Sequence, residues 1–267
     1  MPPIRKGDGT PVTPKGISQI RTGDGRILFD GPAIPDSAVY HYPLLERDTD
    51  TISEELQTED ATAVGTTNIS NDWWKGWAED ADGTDDYIDT NSIWQANGFD
   101  FSTSLISSWG VAFTIETTDD EFNTFATADF TNDSQFAFET GIGQRGANSG
   151  EFIMYLRDRA NSDNVQEIAS DGTHNDGNKY RIMFGGDGPN ASDKTIFVNG
   201  NESSRIERDD GSHSGAEQFT YDMYMLSRNL SGDADGFGDA TIDNVVVLDE
   251  KPDVETASDD YNSQPWS

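Results

Sequence analysis

The chain has 267 residues, 33% of them hydrophobic and 10% aromatic, with 50 acidic against 17 basic side chains and a net charge of −33. That length suits one all-β domain with a short extension. The charge speaks against nucleic acid, whose phosphates need clustered Lys and Arg, and no run approaches the ~20 apolar residues of a membrane span.

The absence of cysteine removes disulfides and thiolate metal sites. Asp outnumbers Glu, Arg outnumbers Lys, and the acid is spread along the whole chain. So much like charge repels itself in dilute buffer. At molar salt the Debye length falls to about 3 Å and the repulsion is screened. The composition resembles that of proteins from extreme halophiles.

Residues 1–36 are rich in Gly and Pro and too short for a core of their own. No apolar stretch follows Met1 to Lys6, so a secretory signal is not expected. Gly7-Asp8-Gly9 is echoed by Gly23-Asp24-Gly25, and Ile27, Leu28 and Phe29 follow. The segment reads as an N-terminal arm that docks on a partner, with Ile27 to Phe29 as an added strand. The plainer alternative is a disordered terminus.

The globular part, residues 37–255, opens at Val39 to Leu44. A polar stretch leads to Trp73, Trp74 and Trp77, then to Gly83-Thr84-Asp85-Asp86-Tyr87-Ile88-Asp89. The organising strand is Trp109 to Thr117. Trp109, Val111, Phe113 and Ile115 point one way; Gly110, Ala112 and Thr114 are small and point the other. The small face implies close packing on that side too. Apolar runs then recur at 125–130, 135–142, 151–157, 165–169, 179–184, 195–198, 219–226 and 240–248, with turn residues between them. No long helical period is visible, and the acidic tail, 256–267, reads as loose.

The order of these motifs resembles the laminin-G-like, concanavalin A-like jelly roll. The matching pieces are the aromatic-Pro-Leu start at Tyr40 to Leu44, Gly83 to Asp89, Thr195-Ile196-Phe197-Val198-Asn199-Gly200 and Ile242 to Val247. The resemblance implies an all-β, two-sheet antiparallel sandwich over about 37–255. It also implies one structural Ca²⁺ at the sandwich edge, with Asp243 in the place of the family's late Asp ligand.

Catalytic signals are weak. Glu116 to Glu121 lacks the Glu-x-Asp-x-x-Glu spacing of jelly-roll glycosidases, which need two carboxylates about 5–10 Å apart. His174 and His213 lie in polar loops and read as surface residues, and no Gly-x-Ser-x-Gly elbow is present. The chain is therefore expected not to be an enzyme. Ser231 to Gly236 lacks the bidentate Glu of a calcium loop. Trp73, Trp74 and Trp77 suit a sugar platform, a subunit interface or the core.

Together these readings imply a structural protein of a haloarchaeal tailed virus. It would assemble in the host cytoplasm and be exposed on the virion. The expected part is a tail fibre or baseplate appendage, or else a capsid turret, used in host attachment. The arm would dock on other virion proteins, the chain would form a homo-oligomer, and the jelly roll would meet a host glycan or glycoprotein. The alternatives are a cellular haloarchaeal adhesion module and a glycoside hydrolase.

Overall fold

Period-two alternation sets the architecture. In the strand Trp109–Thr117, Trp109, Val111, Phe113 and Ile115 enter the main buried cluster, while Ala112 belongs to a second cluster on the opposite face. The computed structural model describes residues 19–21, 27–30, 34–42, 51–52, 56–57, 60–70, 77–96, 99–101, 106–120, 122–128, 136–143, 148–158, 164–214, 222–230, 233–235 and 237–264.

Among the described residues the first sheet has eight strands. In spatial order they are Asn201–Glu202, Lys194–Val198, Lys179–Gly186, Trp109–Thr117, Asp239–Leu248, Trp77–Asp82 and Thr67–Ser70, with Ala38–Tyr42 also paired to Asp239–Leu248. The second sheet has eleven. Its main path is Arg205–Asp209, Val165–Ala169, Phe152–Arg157, Phe136–Ile142, Phe122–Ala128, Tyr224–Met225, Tyr87–Asp89, Ala61–Val64 and Thr51–Ile52. Arg228–Leu230 and Asp233–Asp235 lie off that path, and the bridge from Thr127 to Asn229 is parallel while the other pairings are antiparallel. The fold is thus the expected all-β sandwich.

The core lies between the sheets. Phe101 stands edge-on to Trp109 at 5.2 Å and to Phe138 at 5.0 Å, and Phe184 stands edge-on to Phe113 at 5.7 Å. Such contacts add to the area term that drives burial. The outer side of the first sheet is also covered. Ala112, Met183, Phe197 and Val246 form a second cluster with Ile34 and Ala257. A Cβ on Gly110 would meet Pro252 Cδ at 2.8 Å, so the small residues admit the closing segment.

That segment corrects the expectation of a loose tail. Val254–Asn262 is a helix whose N-cap, Asp253, accepts a hydrogen bond from the Thr256 N–H at 2.7 Å. Its hold is polar as well as apolar: Asp260 receives Arg181 Nε at 2.6 Å and Nη2 at 3.0 Å, with both side chains almost fully buried. The helix is short and carries few apolar residues, so periodicity could not reveal it.

Ile27–Asp30, in the segment read as an arm, is a strand. It pairs with Gln19–Arg21, with Ile20 opposite Phe29. Ile34, inside the segment read as the arm, is buried in the second cluster.

Candidate functional site

Trp73 and Trp74 lie outside the described residues. Trp77 opens the strand Trp77–Asp82 opposite Ser70, and its side chain lies outside them too, as do those of Ile27, Leu28 and Phe29.

Asp243 is not at the sandwich edge. The strand Asp239–Leu248 slips register against its neighbour between Ala112 and Thr114, and Asn244 takes a φ of 49°. This bulge puts Asp243 in the sheet interior, 1% exposed. Its carboxylate accepts the Asn244 N–H at 2.7 Å. Burial raises its carboxyl well above the usual range, against the pull of Asn244 and Arg181. Arg181 also donates to the Asn244 carbonyl at 2.7 Å, so a cation already occupies this neighbourhood. A calcium ligand needs an approach for the ion and no competing cation beside it. Asp243 does not fit that role.

Oxygen donors gather elsewhere. Carboxylate oxygens of Asp82, Asp85 and Asp86 lie within 4.8 Å of one another in the turn after Trp77–Asp82. Asp86 is nearly buried and accepts the Asp82 N–H at 2.9 Å, and Asp82 accepts the Thr84 N–H at 2.9 Å. Gly65, at φ +75°, packs so closely on the Asp86 carboxylate that no Cβ fits. Asp82 is the cross-strand partner of Asp239. Beside them a cleft of about 160 Å³ is lined by Asp80, Glu116, Thr117, Asp239 and Thr241. Burial raises the Asp239 carboxyl, and the charges of Asp119, Asp80 and Asp82 raise it further. One end of the sandwich is therefore a concentrated carboxylate edge. Within Gly83 to Asp89 only Tyr87–Asp89 is strand, and the acidic residues clustered in the turn before it are the signal in the sequence for this edge.

A different chemistry sits on the outer face of the large sheet. Ile88 enters the core, so Tyr87 and Asp89 face outward. Register places Asp89 opposite both Tyr224 and Thr62. The rings of Tyr87 and Tyr224 stack at 4.8 Å with 25° between planes, and Phe237 lies 6.4 Å from Tyr87. None of the three rings belongs to either buried cluster. Asp89 accepts the Asn91 N–H at 2.8 Å, and burial raises its carboxyl. Further across this face Tyr155 stands between Glu139 and Glu167 as the cross-strand partner of both. Two strand spacings put those backbones about 10 Å apart. Glu139 is 0% and Glu167 7% exposed.

The histidines are not on the surface. His174 is 8% exposed, stacks on Phe152 at 5.5 Å and meets Tyr180 edge-on at 4.9 Å. Its backbone N–H donates to the Gly150 carbonyl at 2.7 Å, which ties the loop to the neighbouring turn. His213 is 4% exposed, and its backbone N–H donates to the Pro189 carbonyl at 2.9 Å. Burial lowers both imidazoles; in His213 nearby Lys194 adds to it and brings the value to about 4. Near His174, Arg205 bonds Glu151, Glu207 and the Ser170 carbonyl. Burial works to raise Glu151, yet the bonds from Arg205 and Asn148 hold it below the usual range.

No protein-family model matches the chain, and no curated protein matches it by sequence. Solved structures do resemble it. Trypanosoma rangeli sialidase in complex with sialic acid matches with a TM-score of 0.59 at 10% identity, over 93% of this chain and 36% of that one. The botulinum neurotoxin serotype D binding domain matches at 0.54 and 11% identity, over 86% of this chain and 51% of that one. The botulinum neurotoxin type G receptor binding domain matches at 0.54 and 13% identity, over 85% and 51%. The chain thus spans about a third of the sialidase and half of the toxin domains. At these identities the likeness is one of fold alone, a jelly-roll-like β-sandwich.

Proposed function

We propose that this chain is a non-catalytic binding module of a virion, a tail-fibre or baseplate appendage of a haloarchaeal tailed virus, with a capsid turret as the second placement. The observation that carries the binding role is the partly exposed pair Tyr87 and Phe237, 6.4 Å apart, with Tyr87 on an outer sheet face over the buried Tyr224. Aromatic groups outside the core mark contact surfaces. Similarity in fold to receptor-binding domains agrees with it. The net charge of −33 supports a molar-salt setting. The strand Ile27–Asp30 supports an arm able to dock on other virion proteins, in a homo-oligomer of closed symmetry.

A calcium ion, which the family resemblance implies, would be held by Asp82, Asp85 and Asp86 rather than Asp243, because these oxygens converge within 4.8 Å of one another. For the hydrolase alternative, Glu139 and Glu167 would be the acid pair, and their near-complete burial speaks against it.

Gold-labelled antibody against this chain on purified haloarchaeal virus particles tests the placement. Label at the tail tip or baseplate is the expected result, and label at capsid vertices selects the turret. Label on uninfected cells alone replaces the reading with a cellular adhesion module. Release of reducing sugar from envelope polymer would replace it with a hydrolase.

A further inference from the structure

We infer that Tyr87 and Phe237, backed by Tyr224, form a stacking platform for an uncharged sugar, with Asp89 as acceptor for its hydroxyls. The inference rests on the binding-module reading and adds the site and the ligand class.

Geometry comes first. Strand alternation forces Tyr87 and Asp89 to the same outer face. The sheet register then lines up Thr62, Asp89 and Tyr224 across three neighbouring strands at steps of about 4.8 Å. A row with this spacing is the size of a pyranose ring and its substituents. Tyr224 is 5% exposed, while Tyr87 and Phe237 are half-buried. Tyr224 therefore backs Tyr87 by stacking, and the ring surface that stays partly exposed belongs to Tyr87 and Phe237.

The polar groups follow the same logic. The apolar ring face meets the C–H face of a sugar, and the flanking polar groups take up its hydroxyls. One oxygen of Asp89 receives the Asn91 N–H, and the carboxylate has further lone pairs for O–H donors. Exposed Thr62 adds a hydroxyl, which receives the Asn91 side-chain amide at 2.9 Å.

Charge then decides the class of sugar. Both Asp89 and Asp222 act electrostatically on Tyr224, so the patch is negative, in a chain of net charge −33. A sialic acid, uronic acid or sulfated sugar would place an anion against Asp89. A neutral hexose or N-acetylhexosamine would instead donate to it. Stacking and short hydrogen bonds persist at molar salt, where attraction between exposed charges is screened.

The test uses the full chain in molar NaCl against immobilised neutral glycans and a matched set of sialylated, uronic and sulfated ones. The wild type is expected to bind neutral glycans. Tyr87→Ala is expected to weaken that binding about tenfold, equal to about 1.4 kcal/mol, with Tyr87→Phe restoring most of it by keeping the ring. Asp89→Asn is expected to reduce discrimination against the anionic set. Near-ultraviolet circular dichroism checks that each variant keeps its packing. Unchanged neutral-glycan binding by a folded Tyr87→Ala overturns the platform and leaves the binding-module reading in place. Preference of the wild type for anionic glycans overturns the inferred class. Binding of the wild type to host cells but to no glycan overturns the whole inference while the module reading survives.

Discussion

Arg181 shows how single residues hold this molecule together. Its guanidinium spans from the helix carboxylate of Asp260 to the bulged backbone at Asn244, out of reach of water. Removing one member of such a buried pair strands a charge, which costs about 3–5 kcal/mol. Arg181→Ala is expected to lose that much in denaturant unfolding at molar salt. Replacing both partners, Arg181→Met with Asp260→Leu, should recover most of it. A second residue-scale effect is pH. The fold holds His213 neutral down to about pH 4, whereas an ordinary histidine takes its proton near 6.5. The unfolded chain therefore gains protons first on acidification. His213 contributes its full stability above pH 6.5 and loses it as the pH falls toward 4. The range corresponds to about 3 kcal/mol at 1.36 kcal/mol per unit. Lys194, Asp158 and Asp209 face the same imidazole, so the comparison must be with a His213→Gln variant, whose stability should fall less between pH 7 and 4.5. Equal slopes for the two proteins would contradict this. Residue roles were the least legible part of the sequence. Asp243 was placed by its neighbours Ile242 and Val245, but a bulge leaves no mark in composition and turned the residue inward. The buried histidines sit in polar segments, and tertiary contacts such as those of His174 with Phe152 and Tyr180 bury them.

At the scale of elements, strands were legible and the helix was not. The strands Val165–Ala169, Lys194–Val198 and Asp239–Leu248 fall within a residue of the apolar runs that announced them, because each must show a core face every second position. Val254–Asn262 has no such constraint: its buried members are Ala257 and Asp260, and the ion pair to Arg181 is a contact 79 residues away in sequence. The turn Asp82–Asp86 is the element on which the calcium proposal rests. If it holds the ion, calcium should raise the melting temperature, by up to about 2.7 kcal/mol of stability at a hundredfold excess over Kd. Asp85→Asn should abolish that gain, and Asp243→Asn should leave it intact. Calcium stabilisation lost in Asp243→Asn but kept in Asp85→Asn would move the site back to the bulge.

Over the whole molecule, charge and fold pull in opposite directions. A sandwich with two buried clusters is opposed by a net charge of −33 along the chain. As NaCl falls from molar toward about 0.1 M the Debye length grows to about 10 Å and repulsion reaches across neighbouring loops. Cooperative unfolding or swelling is expected on that dilution, read by circular dichroism and small-angle scattering, and a melting temperature independent of salt would contradict it. The same brine favours recognition through ring faces and hydrogen bonds over charge. The central claim, that this sandwich is a binding module, is tested most directly by sedimenting haloarchaeal cells with fluorescently labelled full chain at molar NaCl. The account predicts saturable binding that unlabelled chain displaces and that periodate treatment of the cells removes. Linear, non-displaceable association with cells of every haloarchaeal strain tried would contradict it.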